Sequence, residues 1–146
     1  MSGLIAQPNG SLVRGRVSFT DRITSIDPAS DGGNQNDFIL PGFVDLQVNG
    51  SHGIDVMTAS PDELATLSRH LAREGATAWL PTAVTAPIEK IERVHDSIAH
   101  ALERSRADNS HDAAAILGMH LEGPFISPRR LGAHPTLNLD PRGDAF

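Results

Sequence analysis

The chain has 146 residues, enough for one ordinary domain but short of the roughly 250 that a complete (β/α)8 barrel takes. Lys and Arg number 12 against 18 Asp and Glu, a formal net charge of -6 with no basic block, which argues against a nucleic-acid surface. Cysteine is absent, excluding disulfides, thiolate metal sites and cysteine nucleophiles; no membrane-length apolar run or signal-peptide pattern occurs, so the expected address is the cytoplasm.

In chain order, residues 12–27 alternate loosely through Val13, Val17, Phe19, Ile23 and Ile26, and the polar break at Thr20-Asp21-Arg22 predicts a hairpin. Residues 31–37, DGGNQND, read as loop and divide a small β segment (1–37) from a longer second segment (38–146). From Phe38 onward the pattern becomes strand, helix, strand, helix, strand. The first strand is Phe43 to Asn49. Ser60, Pro61 and Glu63 then form a capping box with proline at the first helical position, Leu64, Leu67 and Leu71 repeat on one face, and Gly75 marks the stop. The second strand covers about Thr77 to Val84. Thr85 is placed to cap a second helix with the stripe Ile88, Ile91, Val94, Ile98 and Leu102, whose other face (Glu89, Lys90, Glu92, Arg93, Asp96) reads as solvated. A polar loop, 105–112, leads to a third strand, Ala113 to Leu121. This order gives βαβ units and a parallel sheet, either doubly wound or part of a barrel.

Strand periodicity sorts the side chains. In the first strand Val44, Leu46 and Val48 would share an apolar face, and Asp45, Gln47 and Asn49 a polar one; in the third, Leu117, Met119 and Leu121 would oppose Gly118, His120 and Glu122. Ligands of parallel α/β folds gather at the C-terminal strand ends, where the polar faces lie. Glu122, just before Gly123-Pro124, is positioned as a hard oxygen ligand for a divalent metal or as a general base; position alone leaves a solvated loop carboxylate equally open. Gln47 and Asn49 suit hydrogen bonding or filling of the mouth, and His120 suits packing or support of a ligand more than ligation. His134 sits in a Gly- and Pro-rich loop of the kind that carries binding residues. His52 reads as loop first and site second, His70, His95 and His100 as surface, and His111 as an isolated loop residue. No phosphate-loop or dinucleotide fingerprint follows a strand.

Three segments, LPGFVDLQVNG (40–50), GATAWLPTAVT (75–85) and GMHLEGPFISPRRLGAH (118–134), together resemble N-acetylglucosamine-6-phosphate deacetylases of the amidohydrolase superfamily. HLEGPF followed by GAH is the most specific part. The resemblance implies a partial (β/α)8 TIM-like barrel, its first three strands and two helices in residues 38–146, preceded in residues 1–37 by part of a small β-sandwich domain. It implies hydrolysis of the N-acetyl group of N-acetylglucosamine 6-phosphate to glucosamine 6-phosphate and acetate, with one divalent metal ion, zinc by preference. Glu122 matches the family's carboxylate metal ligand, and Ala133 and His134 its substrate-contacting loop. Gln47 and Asn49 stand where many amidohydrolases carry a His-x-His pair, as in a variant with one essential metal. Metal-bound water loses its proton near a pH of about 7, and a hydrogen bond from His134 would answer charge developing on the acetamide oxygen.

The family's histidine ligands, catalytic aspartate and phosphate-binding residues belong to later strands, and by the resemblance they would lie beyond Phe146. The expectation is therefore an N-terminal portion with no catalytic residue of its own, a small-molecule amino-sugar phosphate as partner, and neither nucleic acid nor membrane. It includes a homodimer for the full-length enzyme and negligible turnover by the 146-residue chain alone. The other readings are a non-catalytic remnant that pairs its open strand edges with a partner, and an amidohydrolase acting on a different amide.

Overall fold

The computed structural model describes residues 1–28, 37–107 and 112–134. These fall into two compact units, one of residues 1–41 and one from Gly42 onward. The boundary lies four residues beyond the expected 37/38 break, because Phe38–Ile39 joins the first unit's sheet. The predicted loop at 31–37, apart from Asp37, together with His111 and the residues from 135 to Phe146, lies outside the described residues. The second unit is accordingly described as far as His134 of its expected span to Phe146.

The first unit is a four-stranded sheet in the order β3-β2-β1-β4, formed by β1 (Ser2–Ala6), β2 (Leu12–Phe19), β3 (Ile23–Pro28) and β4 (Phe38–Ile39). β1–β2 and β2–β3 are antiparallel, while β4 runs parallel to β1. The hairpin expected at 20–22 joins β2 to β3, where the Thr20 N–H donates to the Arg22 carbonyl at 3.0 Å. β1 was not legible: its SGLIA sequence is short, and its pairing with β2 and β4 is what identifies it as a strand. Ile5 and Val17 are buried, whereas Phe19, Ile23, Ile26 and Phe38 are exposed.

The second unit is α/β. Its elements are β5 (Phe43–Val48), the short hairpin β6 (Gly50–Ser51) and β7 (Ile54–Asp55), α1 (Pro61–Arg73), β8 (Ala76–Val84), α2 (Ile88–Ala107), β9 (Ala115–Ile116), β10 (His120–Glu122), and a 3-10 turn at Pro128–Arg130. β8 is central, with parallel neighbours β5 on one side and β9 and β10 on the other.

α1 forms where the sequence placed it. The Ser60 hydroxyl accepts from the Glu63 N–H at 3.3 Å, and the Glu63 carboxylate accepts from the Ser60 N–H at 2.8 Å, closing the capping box. Those bonds from Ser60, backbone first and hydroxyl second, hold the Glu63 carboxyl below its ordinary range. Glu74 caps the other end, and Gly75 leaves with φ of 96°. Leu64, Leu67 and Leu71 are buried, as are Ile91, Val94 and Ile98 of α2, and they close around Trp79 of β8. The Trp79 indole N–H donates to the Ser68 hydroxyl at 2.9 Å, so the one polar atom of this buried ring is satisfied.

Four expectations need correction. Thr85 does not cap α2, which begins at Ile88; its hydroxyl donates to the Glu122 carbonyl. α2 continues through Ser105 to Ala107, so the loop begins later than the composition indicated. The third strand is two pieces, interrupted at 117–119. Ile116 pairs with Trp79 but His120 with Thr82, so four steps on one strand match three on the other, an inserted residue of the β-bulge type. The alternation in β5 also breaks. A register shift between Asp45 and Val48 leaves Val48 buried against the helical layer while Val44 and Leu46 are exposed, so the three do not share a helix-covered face. With Phe43, Leu117 and Leu121 also exposed, the second unit carries appreciable uncovered apolar surface.

Candidate functional site

β8 sets the geometry. Its residues alternate, so Trp79, Pro81 and Ala83 share the buried, helix-covered face and Leu80 and Thr82 the other, with Val84, at the strand's end, still packing against the core. Register then carries Glu122 beside Val84 and His120 beside Thr82, at the C-terminal end of the parallel strands. β5 delivers Asn49 to the same end, one residue past Val48.

Glu122 is the centre of the arrangement. The Asn49 Nδ2 donates to its Oε2 at 3.4 Å, across 73 positions of sequence. His134 approaches from the loop after the 3-10 turn, its Nε2 standing 3.4 Å from Glu122 Oε1, with the two side chains 14% and 30% exposed. The backbone at Glu122 is pinned separately: its carbonyl accepts from the Thr85 hydroxyl at 3.0 Å. Gly123 follows with φ of 98°, and a Cβ there would run into that same hydroxyl, so the turn beneath the carboxylate requires glycine. Both contacts to the carboxylate are long, near the upper limit for a hydrogen bond, and leave its lone pairs only partly engaged.

The remaining sequence candidates sit around this centre. The Thr82 hydroxyl lies 3.4 Å from His120 Nδ1, making His120 a half-buried neighbour on the face of Glu122. Gln47 is exposed, and its backbone N–H donates to Asp45 Oδ1 at 3.1 Å. Ala133 is exposed in the turn at 132–133, and the His134 N–H closes that turn on the Leu131 carbonyl at 3.1 Å.

Asn49, Glu122 and His134 therefore converge, with Thr85 as a support that sequence reading assigned to the helix. A hydroxyl residue just before a helix has two common uses, and only the register of β10 against β8 decides between them.

A divalent metal centre needs more than these residues. Catalytic zinc takes three protein ligands, and the cluster offers one carboxylate and one imidazole. Among the described residues no group of three or more His, Asp or Glu side chains could hold a metal ion. The present set does not fit a complete metal centre.

A second histidine cluster lies elsewhere. His52 stacks on His70, ring centroids 4.2 Å apart and planes within 7°, and its Nε2 is 3.3 Å from Glu74 Oε1. His70 is thus half-buried rather than a free surface residue, and His52 docks the β6–β7 hairpin on α1. His95 and His100 are exposed on α2, as expected. A cleft of about 760 Å³ between α1, α2 and β9, lined in part by Ala65, Arg69, Ala101 and Ala114, shares no residue with the Glu122 cluster.

No protein-family model matches the chain. Over 115 residues it is 39% identical to the N-acetylgalactosamine-6-phosphate deacetylase of Escherichia coli O157:H7, an alignment covering 77% of this chain and 29% of that protein. Over 98 residues it is 45% identical to the N-acetylglucosamine-6-phosphate deacetylase of Vibrio furnissii, covering 67% of this chain and 23% of that protein. The crystal structure of N-acetylglucosamine-6-phosphate deacetylase from Thermotoga maritima superposes with a TM-score of 0.78 at 25% identity, over 97% of this chain and 37% of that one. In sequence and in fold the chain is similar to these deacetylases, and it spans less than a third of the curated relatives it matches.

Proposed function

We propose that this chain belongs to the machinery of an N-acetylglucosamine-6-phosphate deacetylase, a hydrolase that cleaves the N-acetyl group from an amino-sugar phosphate to leave the free amine and acetate. The observation that carries the reading is the convergence of Asn49, Glu122 and His134, from three separate segments, at the C-terminal ends of parallel strands. That is where a barrel enzyme gathers its chemistry, and two of the three residues lie in the segment that most resembles the family.

In this reading the second unit supplies the first strands of a (β/α)8 barrel, and the first unit is part of a small β-sandwich domain. The exposed Val44 and Leu46 favour it, because further strands of a closed barrel would cover such residues. Glu122 serves as one ligand of a single divalent cation, preferably zinc, whose other ligands lie outside the described residues. The catalytic aspartate of such an enzyme would likewise fall after Phe146. Asn49 holds the carboxylate from the β5 side, in the place of a second metal's histidine. His134 presents an N–H donor toward an acetamide oxygen that gains charge as the amide is attacked. Ala133 shapes the same loop, and Gln47 and His120 line the mouth. Such an enzyme acts in the cytoplasm, as a homodimer, on a soluble sugar phosphate.

A chimera tests this. The corresponding segment of the Vibrio furnissii relative is replaced by this chain, and acetate release from N-acetylglucosamine 6-phosphate is measured with zinc supplied. The expected result is turnover that Glu122→Gln lowers by about two orders of magnitude or more. A folded chimera that leaves the amide intact, or one indifferent to Glu122→Gln, overturns the proposal. Running N-acetylgalactosamine 6-phosphate in parallel assigns the sugar, since similar relatives carry each name.

A further inference from the structure

We propose that the Asn49–Gly50 junction is a site of spontaneous chemical modification, at which the side-chain amide is lost and the neighbour of Glu122 becomes a carboxylate. Two independent demands of the fold create the labile pair. Gly50 opens the β6–β7 hairpin with φ of 153°, and a Cβ at that position would run into the Ile54 carbonyl oxygen, so no other residue fits. Asn49 is the amide donor that reaches Glu122, held there, among the described residues, by one contact of 3.4 Å and exposed to solvent. Its backbone is anchored through its carbonyl, which accepts from the Val56 N–H at 3.0 Å. Asparagine before glycine is the pairing in which the following backbone nitrogen meets least steric resistance on its way to the side-chain carbonyl, because glycine has no Cβ.

The chemistry balances with water as the only co-reactant. The Gly50 backbone nitrogen attacks Cγ of Asn49, a new N–C bond forms, and the Cγ–Nδ2 bond breaks as ammonia departs with the proton from the attacking nitrogen. The resulting five-membered succinimide is opened by water at either carbonyl, giving aspartate or isoaspartate. The product replaces a donor by an anionic acceptor facing the Glu122 carboxylate, and like charges at that distance repel. In the isoaspartate form the main chain also gains a methylene at the root of the hairpin. This chemistry stands whether or not the chain's reaction is a deacetylation.

Asn9–Gly10 is an internal reference. It lies in the exposed turn between β1 and β2, where Asn9 Oδ1 accepts from the Ser11 N–H at 3.0 Å and the Ser11 hydroxyl at 2.7 Å. The test incubates the chain at mildly alkaline pH in native buffer and in urea, then digests it and quantifies aspartate and isoaspartate at both positions by mass spectrometry. In native buffer, with the helical circular dichroism intact, Asn49 is expected to convert within about tenfold of its rate in urea. Glu122→Ala is expected to quicken conversion at Asn49 severalfold and leave Asn9 unchanged, because only Asn49 is held by that carboxylate. Asn49→Gln abolishes the product at 49. Protection of Asn49 by more than about tenfold, or no response to Glu122→Ala, overturns the proposal.

Discussion

On one face of β8, Trp79 and Ala83 have no exposed surface and the indole N–H meets Ser68 at 2.9 Å; past the end of the other face, among the described residues, the Glu122 carboxylate meets Asn49 and His134, each at 3.4 Å. The first set is fixed by close packing and a short buried hydrogen bond. The second is held by long contacts at a wet rim. A carboxylate held by two long contacts from the described residues has lone pairs that a further partner can use, and that is the physical basis for reading the rim rather than the core as the site.

The contrast is broken or sharpened by measuring its two sides alike. Leu67→Ala is expected to cost about 2–5 kcal/mol through lost burial and the cavity left behind, followed in urea by the fluorescence of the single tryptophan. Ser68→Ala leaves the Trp79 N–H buried without an acceptor and should cost about 1–3 kcal/mol in the same titration. Ser60→Ala removes the cap of α1, with an expected loss of about 1 kcal/mol.

Acid acts on that same cap. The Glu63 carboxyl titrates lower in the folded chain than unfolded, so its contribution is fully present above the unfolded value and is lost as pH falls through the folded one. Helical circular dichroism should therefore decline on acidification through the carboxylate range, less steeply in Glu63→Gln. Glu122→Gln is expected to change stability least, within about 0.5 kcal/mol. If it proves as costly as Leu67→Ala, the rim is part of the core and the distinction fails.

How much of this was legible in the sequence depends on the range of the forces involved. α1 was legible almost to the residue, because its capping box and leucine stripe are local signals within a few positions. Glu122 and His134 stood out through the HLEGPF and GAH segments, and strand ends told where they would gather. The insertion at 117–119 was hidden, since nothing but Gly118 distinguishes it from continuous strand. The exposure of Val44 and Leu46 depends on how β5 registers against β8, a pairing across some thirty positions. The stacking of His52 on His70 and the use of Thr85 at Glu122 likewise join distant segments, which no local pattern reports.

The additional residue between Ile116 and His120 decides where the acidic group ends up. Ile116 pairs with Trp79 on the side covered by helices, and unbroken two-residue periodicity would carry His120 and Glu122 to that side too. The slip reverses the phase, so that the polar end of the strand turns outward from the greasy layer. Deleting one of the three intervening positions would then swing the carboxylate in among leucines, and a change of a single codon in length would erase the site more completely than replacing the glutamate.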